Sequence, residues 1–138
     1  MNRIRGFSLI ELMVVVVVIG LLSAIALPSY TRYVLRSHRS SAITGVLDAA
    51  SRQARYYTTN NTYTTSMTAL GYPADPMPLT DSSNRYYNLS VSAASATAFT
   101  VIATPVGNQT KDTCGTYSYT DLGVKSINLG TLGDCWKQ

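Results

Sequence analysis

The chain is poor in charge and poorer still in the residues that do chemistry. Asp, Glu, Lys and Arg make up 13% of its 138 residues, and there is one histidine, His38. The seven acids are scattered, and no Ser, Cys or His stands in a nucleophile motif, so an enzymatic reading has no residues behind it. His38 is far in sequence from the two cysteines, Cys114 and Cys135, and there is no C-x-x-C. No metal or cofactor site is therefore expected. His38, in an Arg/Ser-rich stretch, reads as a solvated or interfacial side chain. Net charge is +4, and Arg3 and Arg5 supply two of those charges. The remainder is only mildly basic, which is weak evidence for an anionic partner.

What is present is one long apolar run. From Leu12 to Thr31 there are 20 uncharged residues, enough to cross a bilayer core as a helix. The run is apolar on all sides, so it expects lipid or a fully buried bundle. Val14 to Val18 are β-branched, yet in lipid the backbone must satisfy itself and helix prevails. Gly20 is permissive and Pro28 removes a donor, so a kink or a loosened section is expected between them. Glu11 is the anomaly. A carboxylate in a membrane segment costs roughly 2.5–3.5 kcal/mol, and such a residue is by default functional. In a helix it shares a face with Phe7. An amine created by a cut between Gly6 and Phe7 would give it a partner, on its own chain or a neighbour's.

Gly6-Phe7-Ser8-Leu9-Ile10-Glu11, behind a short basic leader and ahead of an apolar helix, resembles the class III signal of type IV pilins. The resemblance implies cleavage after Gly6 and N-methylation of Phe7 by a membrane prepilin peptidase. It implies that Glu11 neutralises the terminal amine of an adjacent subunit during filament assembly, and that Gly20 and Pro28 loosen the helix. The implied partners are other pilin subunits, the peptidase and the inner-membrane assembly machinery. The implied location is the inner membrane, with the C-terminal domain in the periplasm, and then the extracellular pilus. An ordinary secretory signal peptide with an A-x-A-like site at Ala24-Ile25-Ala26 competes, as does a plain membrane anchor. A carboxylate early in the run speaks against the first, and the second leaves Glu11 unexplained.

Past the run, Ile43, Val46, Ala50, Ala54 and Tyr57 recur at spacings of three and four, marking one apolar stripe. Residues 32–57 thus read as an amphipathic helix packed on the C-terminal domain. Counted from Phe7 the helix would be about 50 residues, roughly 75 Å. Its apolar half is expected to project. Residues 58–84 hold three of the five prolines, Gly71 and an Asp-Ser-Ser-Asn cluster, which read as loop with a turn near Ser66–Leu70. Alternation then marks strands around Tyr87, Leu89 and Val91, around Phe99, Val101 and Ala103, and around Tyr117 and Tyr119. The tail from Asn128 reads as loop. If the apolar segment delivers the domain outside the cytoplasm, a Cys114–Cys135 disulfide is the natural reading. The expected fold is α+β: a long N-terminal helix on a small antiparallel sheet, with a C-terminal disulfide loop. The expected organisation is leader 1–6, apolar helix 7–31 and globular domain 32–138, with the sheet and disulfide region at 85–138.

The domain carries Arg55-Tyr56-Tyr57, Asn61-Thr62-Tyr63-Thr64, Ala69-Leu70-Gly71, Tyr86-Tyr87, Ala103-Thr104-Pro105, Thr113-Cys114-Gly115, Leu122-Gly123 and Asp134-Cys135-Trp136. In that order they are similar to the minor pilins that include competence DNA-uptake receptors of some Gram-negative bacteria. The leading reading is a minor pilin serving pilus biogenesis, motility or adhesion. A rival is a DNA-binding pilin, in which Arg85, Lys111, Lys125 and Lys137, with Tyr117, Tyr119 and Trp136, form a basic aromatic face. A pseudopilin of a secretion system is the other rival.

Overall fold

The structure is a computed structural model and describes residues 7–81 and 84–137. Gly6 lies outside the described residues. The chain divides between Val34 and Leu35 into two compact units.

Helix α1 spans Leu9–Asn60 and is uninterrupted at Gly20 and Pro28. Thr31 Oγ1 donates to the carbonyl of Leu27 at 3.0 Å, and Arg32 Nε to that of Pro28 at 3.3 Å. These side chains bond carbonyls that face the turn after the proline; the donor that Pro28 lacks would have faced the Ala24 carbonyl one turn earlier. In the first unit every described residue from Phe7 to Tyr33 is exposed. This stretch is long and apolar enough to cross a membrane.

The second unit packs the rest of α1 on a five-stranded antiparallel sheet whose strands follow chain order. They are β1 Met77–Thr80, β2 Arg85–Ala94, β3 Phe99–Pro105, β4 Tyr117–Thr120 and β5 Lys125–Ile127. Tyr87, Leu89 and Val91 of β2, Phe99, Val101 and Ala103 of β3, and Tyr117 of β4 are buried. The residues between them are half-buried or exposed, as alternation on a one-sided sheet requires. Between Leu79 and Thr80 the β1–β2 register shifts. Both Tyr86 and Tyr87 are buried there, because the residue left over at a bulge is re-aimed. Gly45 on α1 allows this packing to be close: a Cβ there would lie 3.2 Å from Leu79 Cδ1.

Three expectations are corrected. The buried stripe of α1 is Ala42, Ile43, Val46, Ala49, Ala50 and Gln53, and Ala54 is exposed. Gln53 takes the inward place because its amide pairs both ways with Thr64, donating to its carbonyl at 2.5 Å and accepting from its N–H at 3.1 Å. Residues 58–84 are not all loop, since β1 lies within them; Pro78 is tolerated because β1 is an edge strand. The tail is not all loop either. From Asn128 on it holds a single helical turn, α2, at Leu132–Cys135, and the unexpected strand β5 lies just before it.

Candidate functional site

Phe7 precedes α1 and is 81% exposed. Glu11 stands in the first turn of α1, where a negative charge also favours the helix dipole. Its side chain is exposed, with no partner among the described residues.

The four candidate DNA-binding cations lie two and two along the sheet, Arg85 on β2 and Lys111 after β3, Lys125 on β5 and Lys137 after it. Arg85 opens β2 and donates to the Asn88 side chain. Its carbonyl lies against Gly107, the first residue of a 3₁₀ helix at Gly107–Lys111 that ends on Lys111. Lys125 and Lys137 instead gather at Trp136. Lys125 Nζ sits 5.3 Å from the Trp136 ring centroid, within cation–π range. Lys137 is held by Asp134 at 3.0 Å. In the sheet β3 and β4 separate β2 from β5, and with them the two pairs. Tyr117 is fully buried and so has no face free to stack on a base. Trp136 packs on Tyr117 and Tyr119, with centroids 5.6 and 6.5 Å away.

Behind Trp136 the Cys114–Cys135 disulfide is formed, with Cα atoms 5.7 Å apart. Both cysteines are buried. Tyr117 donates its hydroxyl hydrogen to the Cys135 carbonyl at 3.1 Å. Burial, with the Asp112 charge opposing that of Arg39, pushes the Tyr117 phenol up to about 12. Gly130 closes the loop at φ +72°; a Cβ there would lie 2.7 Å from the Thr113 carbonyl oxygen.

Sequence reasoning missed a polar network between α1 and the sheet. His38 stacks on Tyr86 with ring centroids 4.1 Å apart. Its Nδ1 is 3.0 Å from Gln109 Oε1. The buried Gln109 donates from Nε2 to the Leu35 carbonyl at 2.9 Å and to the Tyr87 hydroxyl at 3.2 Å. A carbonyl can only accept, which fixes that amide's orientation and makes His38 Nδ1 the donor. His38 is thus a packed bridge and not a solvated side chain. A second network joins α1 to the loop after it. Asp48 accepts from the Tyr72 hydroxyl and, at 2.8 Å, from Arg52 Nε. Arg52 lies over the Tyr72 ring at 4.2 Å. Burial raises the Asp48 carboxyl, but the bonds from Tyr72 and Arg52 outweigh it and hold the group below its ordinary value.

Comparison with known proteins decides the family. Residues 1–27 match the prokaryotic N-terminal methylation motif. Residues 28–118 match the model described as type IV minor pilin ComP, DNA uptake sequence receptor. The chain belongs to the type IV minor pilin family. This pilin is 35% identical over 100 residues to the fimbrial protein EcpC of Eikenella corrodens, covering 72% of this chain and 61% of that one. It is 35% identical over 92 residues to the major pilin PilA of Myxococcus xanthus, covering 66% of this chain and 39% of that one. The matched stretches thus span less than two thirds of either relative. Among solved structures, a type IV pilin from Shewanella oneidensis superposes with a TM-score of 0.52 at 25% identity, over 75% of this chain and 99% of that one. The minor pilin PilV of Neisseria meningitidis superposes with a TM-score of 0.53 at 24% identity, over 72% and 91%, which bears on fold alone. The ComP-type match ends at residue 118. Arg85 and Lys111 fall inside it, and Lys125 and Lys137 outside.

Proposed function

We propose that this pilin is a minor subunit of a type IV pilus and that its mechanism is assembly. The observation that carries the reading is the exposed apolar stretch of α1, which starts at the GFSLIE motif and leads into a pilin domain. A prepilin peptidase cuts between Gly6 and Phe7 and methylates the new amine. The apolar helix holds the subunit in the inner membrane, with the domain on the periplasmic side. Assembly machinery then moves it into the filament, where neighbouring pilin helices replace lipid. Glu11 selects the axial position, because in an apolar core its carboxylate is stable only when paired. Gly20 and Pro28 give the helix a section that can open on entry. The intact mass of mature protein tests this: a start at Phe7 plus one methyl group is expected, and a start at Leu27 would mean a secretory signal peptide. Glu11→Ala should insert in membranes yet be lost from sheared pili.

A second reading, supported by the ComP-type match over residues 28–118, is capture of duplex DNA during uptake. Its chemistry is phosphate neutralisation. On a log–log plot, affinity falls with salt by a slope of about 0.9 per phosphate contacted. Arg85 and Lys111 acting alone predict a slope near −2, and all four cations about −4. Gel retardation by the full chain in detergent measures it. Absence of binding at low salt, with Arg85→Ala and Lys111→Ala silent in transformation, removes this reading.

A further inference from the structure

A cleft of about 510 Å³ opens between α1 and the disulfide loop, lined by Arg36, Arg39, Thr113, Thr131 and Asp134 among others. Its volume is in the range of small-ligand sites. Its walls differ in sign. On the α1 side, exposed Arg36 has no ion pair among the described residues. Arg39 commits Nε and Nη2 to Asp112, and Nη2 also to Thr113 Oγ1 at 3.2 Å, which leaves Nη1 without a partner among the described residues. On the α2 side stands Asp134, held by Thr131 Oγ1 at 2.9 Å and Lys137 Nζ at 3.0 Å, with its side chain 70% exposed.

We propose that this cleft binds the headgroup of a membrane lipid carrying both a phosphate and a primary ammonium, as in phosphatidylethanolamine. Arg36 and the spare nitrogen of Arg39 take the phosphate, and Thr113 offers a hydroxyl beside them. Guanidinium groups suit phosphate oxygens because their N–H donors form a planar fork. Asp134 takes the ammonium with the carboxylate lone pairs that Lys137 and Thr131 leave open. The carboxylate argues against a nucleic-acid backbone, which brings phosphates and no cation to the same wall. The chain itself argues for a lipid: Arg36 follows the end of the apolar run at Thr31 by five residues, so a bilayer around that run brings headgroups within reach. The inference rests on the pilin reading only for the stage spent in the membrane. It gives that stage a specific docked lipid, released when the subunit leaves for a filament.

The full chain in nanodiscs of phosphatidylcholine doped with phosphatidylethanolamine or phosphatidylglycerol provides the test, read as lipids retained in native mass spectra. One phosphatidylethanolamine per chain should persist, about tenfold preferred, the size one charge-assisted hydrogen bond supplies. Arg36→Gln should cut retention by a similar factor, about tenfold. Asp134→Asn should keep a phospholipid but erase the choice between ethanolamine and glycerol. Arg36 and Asp134 are exposed, so an unchanged melting temperature separates site loss from unfolding. Insertion with no headgroup preference, or Arg36→Gln retaining lipid like the parent, overturns the proposal and leaves the pilin reading intact. Displacement of the lipid by short duplex DNA, lost in Arg36→Gln, would overturn it in favour of nucleic acid. Failure to insert would overturn both.

Discussion

Arg39 and Asp112, 73 residues apart in sequence, meet through two donors of one guanidinium at 2.6 to 3.1 Å. The Asp112 side chain is only 3% exposed, so almost all of its charge balance comes from Arg39. The pair clamps the segment after β3 to α1.

Breaking that pair from one side should be costly. Arg39→Ala strands a buried carboxylate and should destabilise the domain by about 3–5 kcal/mol. Arg39→Met with Asp112→Leu should recover most of the loss, because apolar replacements of a buried pair are often neutral. Urea midpoints of the full chain in detergent measure both. A single mutant as stable as the parent would show that the pair is idle.

Acid should act through Asp48. Its folded carboxyl is held below the ordinary value of 3.8. Its contribution is therefore present above that pH and is lost as pH falls through the folded value. Asp48→Asn should be less stable at neutral pH and lose less stability than the parent below about pH 4. Melting temperature against pH reports the difference, and parallel curves would contradict it.

Alongside Tyr72 and Tyr87, whose phenols burial also raises, alkali should act through Tyr117. Its phenol is raised from 10.0 to about 12, so the folded state holds the proton after the unfolded chain releases it. Stability should be full below pH 10 and decline between there and about 12. Tyr117→Phe should lose about 1 kcal/mol with the hydrogen bond to Cys135, and the alkaline slope should shrink. A slope unchanged in Tyr117→Phe assigns it to another group.

The disulfide closes a loop whose ends are 21 positions apart. Cys114→Ser with Cys135→Ser should cost about 3 kcal/mol by the chain-entropy model. Gly130→Ala should mimic part of this in the oxidised protein, since its Cβ meets the Thr113 carbonyl at a positive φ. Thermal melts with and without reductant separate the two, because only the glycine variant keeps a reductant-sensitive transition.

The long helix, the three central strands and the disulfide were legible because each leaves a periodic or compositional mark. Tyr87, Leu89 and Val91 alternate, and so do the buried residues of β3. The edges left none. β1 is four residues long and contains Pro78, and β5 has three residues, too few for a period to register. Ala54 outranks Gln53 on any apolar scale, yet Gln53 is buried because its amide replaces a strand's pairing to Thr64. His38 read as solvated or interfacial for the same reason, and Gln109 left no mark in the sequence at all. A polar side chain goes inside when its partners are waiting there, and those partners lie 71 positions apart in the chain. In the candidate site the GFSLIE motif was legible at once. The separation of Arg85 and Lys111 from Lys125 and Lys137 was not, because it follows from strand order.

Both sheet edges end poorly for another chain to continue. Pro78 has no N–H to offer on one side, and on the other only three residues, led by Lys125, present themselves. Short, proline-bearing or lysine-bearing edges resist strand addition. Molecules crowded at high local density, as subunits in a membrane or a fibre are, would otherwise zip together through their backbones. Here that route to polymer is closed at both sides of the sheet, which leaves α1 and the side-chain surfaces as the places where one copy can join the next.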